Sequence, residues 1–167
     1  PSVADLLGKT DAVLLETNDG RRHYEQAVEV FKSGKRVFID KPIAAQLPDV
    51  VRILAAAKEC HAQVFSSSAL RYVKNAQAAR AGTLGKVLGA DTYTPCTLES
   101  SHSRFYWYGI HGVEPLFTIM GRGCVQVSCT SQEDTDVAVG TWADGRVGLV
   151  RGMRGNGATY GGFIFTD

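Results

Sequence analysis

The sequence has no apolar run that approaches the length of a membrane span, no paired cysteine spacing and no excess of charge of one sign. A spanning helix needs about 20 consecutive apolar residues. Cys60, Cys96, Cys124 and Cys129 are scattered, which indicates reduced core thiols and not a zinc site. A formal net charge of +1 leaves no basic face for nucleic acid. We therefore expect no membrane partner, no nucleic-acid partner and no metal.

The first part of the sequence alternates between two hydrophobic patterns. Short apolar runs at 12–17, 37–39 and 63–66 predict buried strands. Between them, apolar residues at i, i+3, i+4 and i+7 predict helices over 24–31 and from residue 47 to 54. The order β-α-β-α-β predicts a parallel sheet with right-handed crossovers.

The pattern changes after Ser68. Helices are predicted over 73–81 and 113–120, and Asp144-Gly145 is a hairpin signal. The predicted strands are 86–94, 124–131, 136–142, 146–153 and 162–166. The fold class is therefore α/β: a partial Rossmann-type parallel sheet, followed by a partial α+β domain with an open antiparallel sheet.

This change in the spacing of apolar residues after Ser68 predicts two domains. Residues 1–68 are interpreted as the C-terminal part of a dinucleotide-binding domain, and 69–167 as a partial domain for substrate binding and oligomerisation. The turn Gly-x-Gly-x-x-Gly that opens a dinucleotide-binding unit does not occur. We therefore expect an internal piece of a larger protein. The cytoplasm is the expected compartment, with periplasmic export left open because the native start is expected upstream.

Two short segments carry groups suited to acid–base chemistry. Asp40-Lys41-Pro42 follows a predicted strand, where ligands bind in α/β proteins. A carboxylate accepts hydrogen bonds from a ribose, a lysine donates to a substrate oxygen, and proline fixes the backbone. His111 and Glu114 lie three residues apart on a predicted helix, and histidine titrates in the range that proton transfer needs.

These segments resemble the Gfo/Idh/MocA family of nicotinamide-dependent oxidoreductases. The resemblance is carried by residues 11–17, His23, 34–42, 67–72 and 108–114, in that order. It implies NAD or NADP as cofactor and proton transfer by Lys41 and His111. The positions that it implies at the cofactor are Thr17, Asn18, His23, Asp40 and Pro42. The positions that it implies on the substrate side are Arg71, Tyr106, Trp107, Tyr108 and Glu114.

Each of these positions also has a structural interpretation. Thr17 and Asn18 are common helix caps, and His23 suits a surface or capping position. Lys41 before a proline is often solvated, and Arg71 on a linker helix is often exposed. The aromatic run 105–108 fits a domain interface as well as it fits stacking on a sugar ring. The resemblance further predicts a cis peptide between Lys41 and Pro42.

The sequence departs from the family's pattern at three positions. Asp40 stands where the family has glutamate, and Glu16 stands where it usually has a small residue. Trp107 stands four positions before His111, where the family often has an aspartate. The usual Lys-Asp-His relay therefore lacks its central member, and Glu114 or Glu16 would have to supply a carboxylate.

Two functions follow as hypotheses. The first is an NAD(P)-dependent oxidoreductase that transfers a hydride between the cofactor and a sugar, cyclitol or related polyol, with Lys41 and His111 moving the proton. The second is a non-catalytic family member that serves as a ligand-binding or assembly protein, which Trp107 favours. A homo-oligomer formed through the open sheet is expected in either case.

The absent glycine-rich turn generates a prediction for the 167-residue chain itself. Because the pyrophosphate of a dinucleotide normally rests on that turn and the following helix N-terminus, we expect no useful affinity for NAD(H) or NADP(H). Titration of nicotinamide fluorescence with this chain measures the affinity. Micromolar binding would contradict the expectation.

Overall fold

A computed structural model describes residues 2–167, which divide into two compact units. The first unit extends to Ser67 and includes Glu99–Trp107, whereas the second comprises Ser68–Leu98 and Tyr108–Asp167. The predicted ranges 1–68 and 69–167 do not place Glu99–Trp107 with the first unit. Within residues 2–167, no helix has the length and apolar character that a membrane span requires.

The first unit is a three-stranded sheet with helices. Its strands and helices are α1 (Val3–Leu7), β1 (Ala12–Leu15), α2 (His23–Lys32), β2 (Arg36–Ile39), α3 (Leu47–Glu59) and β3 (Val64–Phe65). The strand order is β1-β2-β3 and both pairs are parallel, which confirms the predicted sheet. Gly34, at a φ of 73°, terminates the turn after α2, and Pro48 lies in the first turn of α3.

Apolar residues from both helices and strands form the core of this unit. Phe31, Ile39 and Ile53 are almost completely buried. Each comes from an element that the hydrophobic pattern predicts, because a parallel strand buries both faces and an amphipathic helix buries one. The core therefore holds the carboxyl ends of β1 and β2 side by side.

The second unit is a five-stranded sheet with two helices. Its elements are α4 (Lys74–Arg80), β4 (Val87–Pro95), α5 (Ile110–Met120), β5 (Cys124–Ser131), β6 (Thr135–Trp142), β7 (Val147–Met153) and β8 (Gly161–Thr166). The strand order is β5-β6-β7-β4-β8. The structure thus confirms the α/β class with a parallel first sheet and a second, open sheet.

One part of the fold prediction is wrong: the second sheet is mixed and not antiparallel. β4 pairs with β7 in parallel, with Thr92 opposite Val150, and pairs with β8 in antiparallel fashion. The cause is the α5 connection, which returns the chain so that β5 runs in the same direction as β4. The two hairpins that follow then bring β7 back to that direction.

The glycine-rich segment before β8, residues 155–161, does not connect neighbouring strands. β7 and β8 are not neighbours, because β4 lies between them. Residues 154–160 therefore pass β4 to connect β7 with β8. Tyr160 lies directly before the first residue of β8. The strand between them, β4, comes from an earlier part of the chain, and a local turn signal gives no information about it.

Helix α5 lies very close to the sheet at Gly112. A Cβ atom at this position would lie 2.8 Å from Thr94 Cγ2 and 2.9 Å from Val150 Cγ2. The hydroxyl of Thr92 donates to the carbonyl oxygen of Gly112 at 3.0 Å. Leu116, one turn later, is buried on the same side. This contact sets the position of His111 and Glu114 on the helix.

We predict that Gly112→Ala destabilises the protein by about 1–3 kcal/mol, because the added methyl group overpacks this contact. Urea denaturation gives the change in the free energy of unfolding. Gly8→Ala is the control, since Gly8 has a φ of −71° and nothing lies within 4 Å of its Cβ position. Equal stability of the two variants would show that α5 has room to shift.

Candidate active site

The segment Asp40-Lys41-Pro42 leaves the sheet directly after β2. The amide of Asp40 donates to the carbonyl oxygen of Leu15 at 2.9 Å, which continues the β1–β2 pairing by one residue. The Lys41–Pro42 peptide is cis, which confirms the prediction. Pro42 is buried, while Asp40 and Lys41 are half-buried. Two polar side chains are thus held at the carboxyl edge of the first sheet.

Lys41 lies against an aromatic ring from the same unit. Its Nζ atom is 5.8 Å from the centroid of the Trp107 ring. An ammonium group within about 6 Å of an indole face is attracted by the ring quadrupole. Trp107 therefore contacts the lysine that the resemblance implies as catalytic, in the unit to which both residues belong.

His102 fixes the segment that carries Trp107. The two rings pack with centroids 4.8 Å apart. His102 Nε2 accepts a hydrogen bond from the Gly20 amide at 3.2 Å, so the ring proton is on Nδ1, 2.8 Å from Ser101 Oγ. Burial lowers the pKa of His102, against the opposing charges of Asp19 and Glu99. A neutral, buried histidine thus joins Glu99–Trp107 to the loop after β1.

The other cofactor positions that the resemblance implies lie in the loop after β1 and at the start of α2. His23 is buried, with Nε2 2.7 Å from the Thr17 carbonyl oxygen and Nδ1 3.2 Å from that of Ile43. The Thr17 hydroxyl donates to Gln26 Oε1 at 2.9 Å. Asn18 and Glu16 are exposed. His23 thus joins the end of β1 to the segment after Pro42.

A second cluster surrounds His111 in the second unit. His111 Nδ1 is 2.7 Å from Ser68 Oγ. The Ser68 amide donates to Glu114 Oε2 at 2.5 Å, and Arg71 Nε donates to the other carboxylate oxygen in an ion pair. The cluster brings together three residues that the resemblance implies, His111, Glu114 and Arg71, and adds Ser68.

Two tyrosines pack edge-on against the His111 ring. The centroid distances are 5.5 Å for Tyr108 and 5.9 Å for Tyr160. Burial raises the pKa of Tyr160, and the charge of Tyr108 raises it further. Tyr106 belongs to the first unit, where burial raises its pKa. The aromatic run 105–108 is therefore divided between the two units.

His111 also lines a cavity of about 720 Å³ within the second unit. This volume lies in the range of about 300–1,000 Å³ that ligand pockets occupy. Polar side chains at the wall include Lys74, Asn75, Tyr93 and Tyr160, among mainly apolar neighbours. A cavity of ligand size therefore lies beside a histidine whose ring is held by a hydrogen bond.

Three residues in these clusters are absent from the predicted site: Ser68, His102 and Tyr160. Ser68 lies within the segment 67–72 that carries the resemblance, and it follows β3 at the end of a run of three serines. A hydroxyl group after a strand end is the signal that its residue type gives. His102 and Tyr160 have no such signal, because their contacts arise from packing between distant segments.

Comparison with known protein families gives a match for the first part of the chain. Residues 1–68 match the model of the oxidoreductase family with an NAD-binding Rossmann fold. That model is the Gfo/Idh/MocA family model, so the first 68 residues are similar to this family. The description of this family as NAD-binding confirms the nicotinamide-type cofactor that the resemblance implies.

Individual relatives agree with this family. The chain is 39% identical over 57 residues to inositol 2-dehydrogenase 3 of Saccharopolyspora erythraea, a match that covers 34% of this chain and 17% of that protein. The chain therefore spans a minor part of this curated relative.

Solved structures share the fold over nearly the whole chain. The UDP-N-acetylglucosamine 3-dehydrogenase GnnA of Acidithiobacillus ferrooxidans is 20% identical with a TM-score of 0.82, over 99% of this chain and 58% of its own. The WlbA dehydrogenase of Bordetella pertussis, solved with NADH and UDP-GlcNAcA, is 22% identical with a TM-score of 0.76, over 99% of this chain and 56% of its own.

The histidine that anchors Trp107 generates a prediction on pH dependence. Because the pKa of His102 is lowered in the folded state, its contribution to stability is present above its usual value of 6.5 and is lost as the pH falls below it. We expect His102→Ala to remove this part of the pH dependence and to cost about 1–3 kcal/mol at neutral pH by leaving the Gly20 amide unpaired.

Urea denaturation between pH 5 and 7.5 measures both effects, and acrylamide quenching should show Trp107 more accessible in the variant. His61→Asn is the control, because His61 is exposed and asparagine tolerates its φ of 51°. A variant with the pH dependence of the parent protein would contradict the assignment of His102.

Proposed function

We propose that the protein of which this chain forms part is an NAD(P)-dependent oxidoreductase that exchanges a hydride with a sugar, cyclitol or related polyol. The observation that carries the proposal is His111, whose ring is held by a hydrogen bond at the wall of a ligand-sized cavity. Oxidation of an alcohol requires removal of the hydroxyl proton, and a positioned histidine is the commonest group for that task.

The end of β1 and the segment after β2 would form the nicotinamide side of the cofactor site. Asp40 would accept hydrogen bonds from the ribose, and Asn18 and Thr17 lie at the neighbouring strand end. When bound, the cofactor supplies the hydride acceptor. The glycine-rich turn that holds the pyrophosphate is not among the 167 residues, so this proposal concerns the whole protein.

Lys41 and His111 share the proton chemistry in this proposal. An ammonium group donates to the substrate oxygen and stabilises the negative charge that develops when the hydroxyl proton leaves. The imidazole of His111 accepts that proton. Tyr108 and Tyr160 present ring edges beside it, and their hydroxyl groups are suited to the hydroxyls of a polyol.

The substrate class is supported by the relatives. The curated relative is an inositol dehydrogenase by name, and two of the solved structures concern UDP-linked amino sugars or their acids. All of these compounds carry secondary alcohols on a ring. A hydroxylated ring is therefore the substrate class proposed here.

The contact between Trp107 and Lys41 favours a second function. If the indole retains the ammonium at 5.8 Å throughout, the lysine is not available to a substrate, and the protein is a ligand-binding or assembly protein. The face of the second sheet opposite α5 would then serve a homo-oligomer. Val147, Phe163 and Phe165 leave half or more of their surface exposed on that face.

Lys41→Ala in the complete protein tests the enzymatic proposal. We expect turnover of the polyol to fall by about 10²–10⁴-fold, because the amine acts in the transition state, while cofactor affinity stays within a few-fold. Steady-state rates and nicotinamide fluorescence measure the two quantities.

Lys58→Ala is the matched control, since Lys58 is an exposed lysine in the last turn of α3. Turnover by Lys41→Ala equal to that of Lys58→Ala would remove Lys41 from the mechanism. A parent protein that binds polyols but never reduces the cofactor would support the second function.

A further inference from the structure

We propose that Ser68 is the positioning residue of His111, and that it fixes the ring in the tautomer whose Nε2 accepts a proton. The catalytic part of this inference depends on the function proposed above, whereas the pairing itself can be measured without it. Ser68 takes the place of the aspartate that is replaced by Trp107.

The side-chain oxygen of Ser68 has a fixed position. Ser68 is fully buried and caps the short helical turn Ala69–Tyr72. Its Oγ atom accepts the Leu70 amide proton at 3.1 Å and lies 2.7 Å from His111 Nδ1. One side of the oxygen is therefore occupied by the backbone, and the other faces the imidazole.

The main chain of Ser68 is held by the same helix that carries His111. The amide of Ser68 donates to Glu114 Oε2 at 2.5 Å, and Glu114 lies three residues after His111 on α5. The second carboxylate oxygen of Glu114 is held by Arg71. Ser68 thus contacts α5 through its amide and through its hydroxyl, so it cannot turn without breaking one of these bonds.

A hydroxyl group suits both protonation states of a general base. While Nε2 has no proton, Nδ1 carries one and donates it to Ser68 Oγ. After Nε2 has accepted the substrate proton, both nitrogens carry protons and the same bond persists. No rearrangement of the ring is needed during proton transfer, which is the function of an orienting partner.

Glu114 acts on His111 through Ser68 in this arrangement. Its carboxylate binds the serine amide and the Arg71 guanidinium, so its charge is compensated in a half-buried site. Ser68 itself is neutral. The histidine is therefore oriented by the Ser68 hydroxyl group, while the Glu114 carboxylate holds the main-chain amide of the same serine.

The tautomer of His111 can be measured by long-range ¹H–¹⁵N NMR on protein labelled at histidine. His111→Gln assigns its signals among the four histidines. We expect the neutral ring of the parent protein to carry its proton on Nδ1. A parent spectrum with the proton on Nε2 would overturn the proposal without any variant of Ser68.

Variants of Ser68 then distinguish a role in positioning His111 from a purely structural role. We expect Ser68→Ala to lose the Nδ1–H preference and to lower kcat by about 10²-fold, at the lower end of what general acid–base catalysis contributes, with KM little changed. Ser68→Thr keeps the hydroxyl and should restore both signals. Ser128→Ala, which removes an exposed hydroxyl on β5, is the control.

The outcomes distinguish this inference from the proposed function. If Ser68→Ala keeps the parent's tautomer and kcat, the positioning role is wrong while the dehydrogenase stands. If the tautomer follows the hydroxyl but the parent protein turns over no polyol, the pairing is supported and the proposed function is wrong.

Discussion

The close contact between α5 and the second sheet is the constraint on which the histidine cluster depends. A side chain at Gly112 would collide with Thr94 and Val150, so only glycine allows this approach. The Thr92 hydroxyl then holds the Gly112 carbonyl oxygen. With the helix fixed at this point, the residues on either side of it, His111 and Glu114, reach Ser68 together. A small residue in the core thereby determines the geometry of polar groups at the surface of a cavity.

Periodicity predicted the elements well because it reports local burial. The helices and strands from β1 to β8 occur close to their predicted positions, and most of them bury apolar residues whose spacing is visible in a short window of sequence. The strands β5 and β8 are mostly exposed and were predicted from their alternation and their β-forming residues. The placement of β4 between β7 and β8 was not predictable in this way. It depends on how the α5 connection returns the chain, which no window of sequence contains.

The site was predictable where the chemistry is local and not where it arises from distant contacts. Asp40-Lys41-Pro42 and His111 are short motifs at a strand end and on a helix, so residue types suffice to find them. Ser68 becomes significant only through a bond to a residue 43 positions away. His102 similarly joins Gly20 across 82 positions. Such contacts form only when the chain has folded, so the local sequence around a buried serine or histidine does not reveal them.

Trp107 stands where the resemblance leads us to expect an aspartate, and two tasks that one carboxylate would combine are separated in this chain. In the first unit, Trp107 packs on His102 and attracts the Lys41 ammonium with its ring face. In the second unit, Ser68 orients His111, and Glu114 fixes Ser68. Each of the two basic groups thus has its own support, provided by a neutral side chain of the unit to which it belongs. Orientation is therefore what these two contacts contribute to the chemistry proposed for Lys41 and His111.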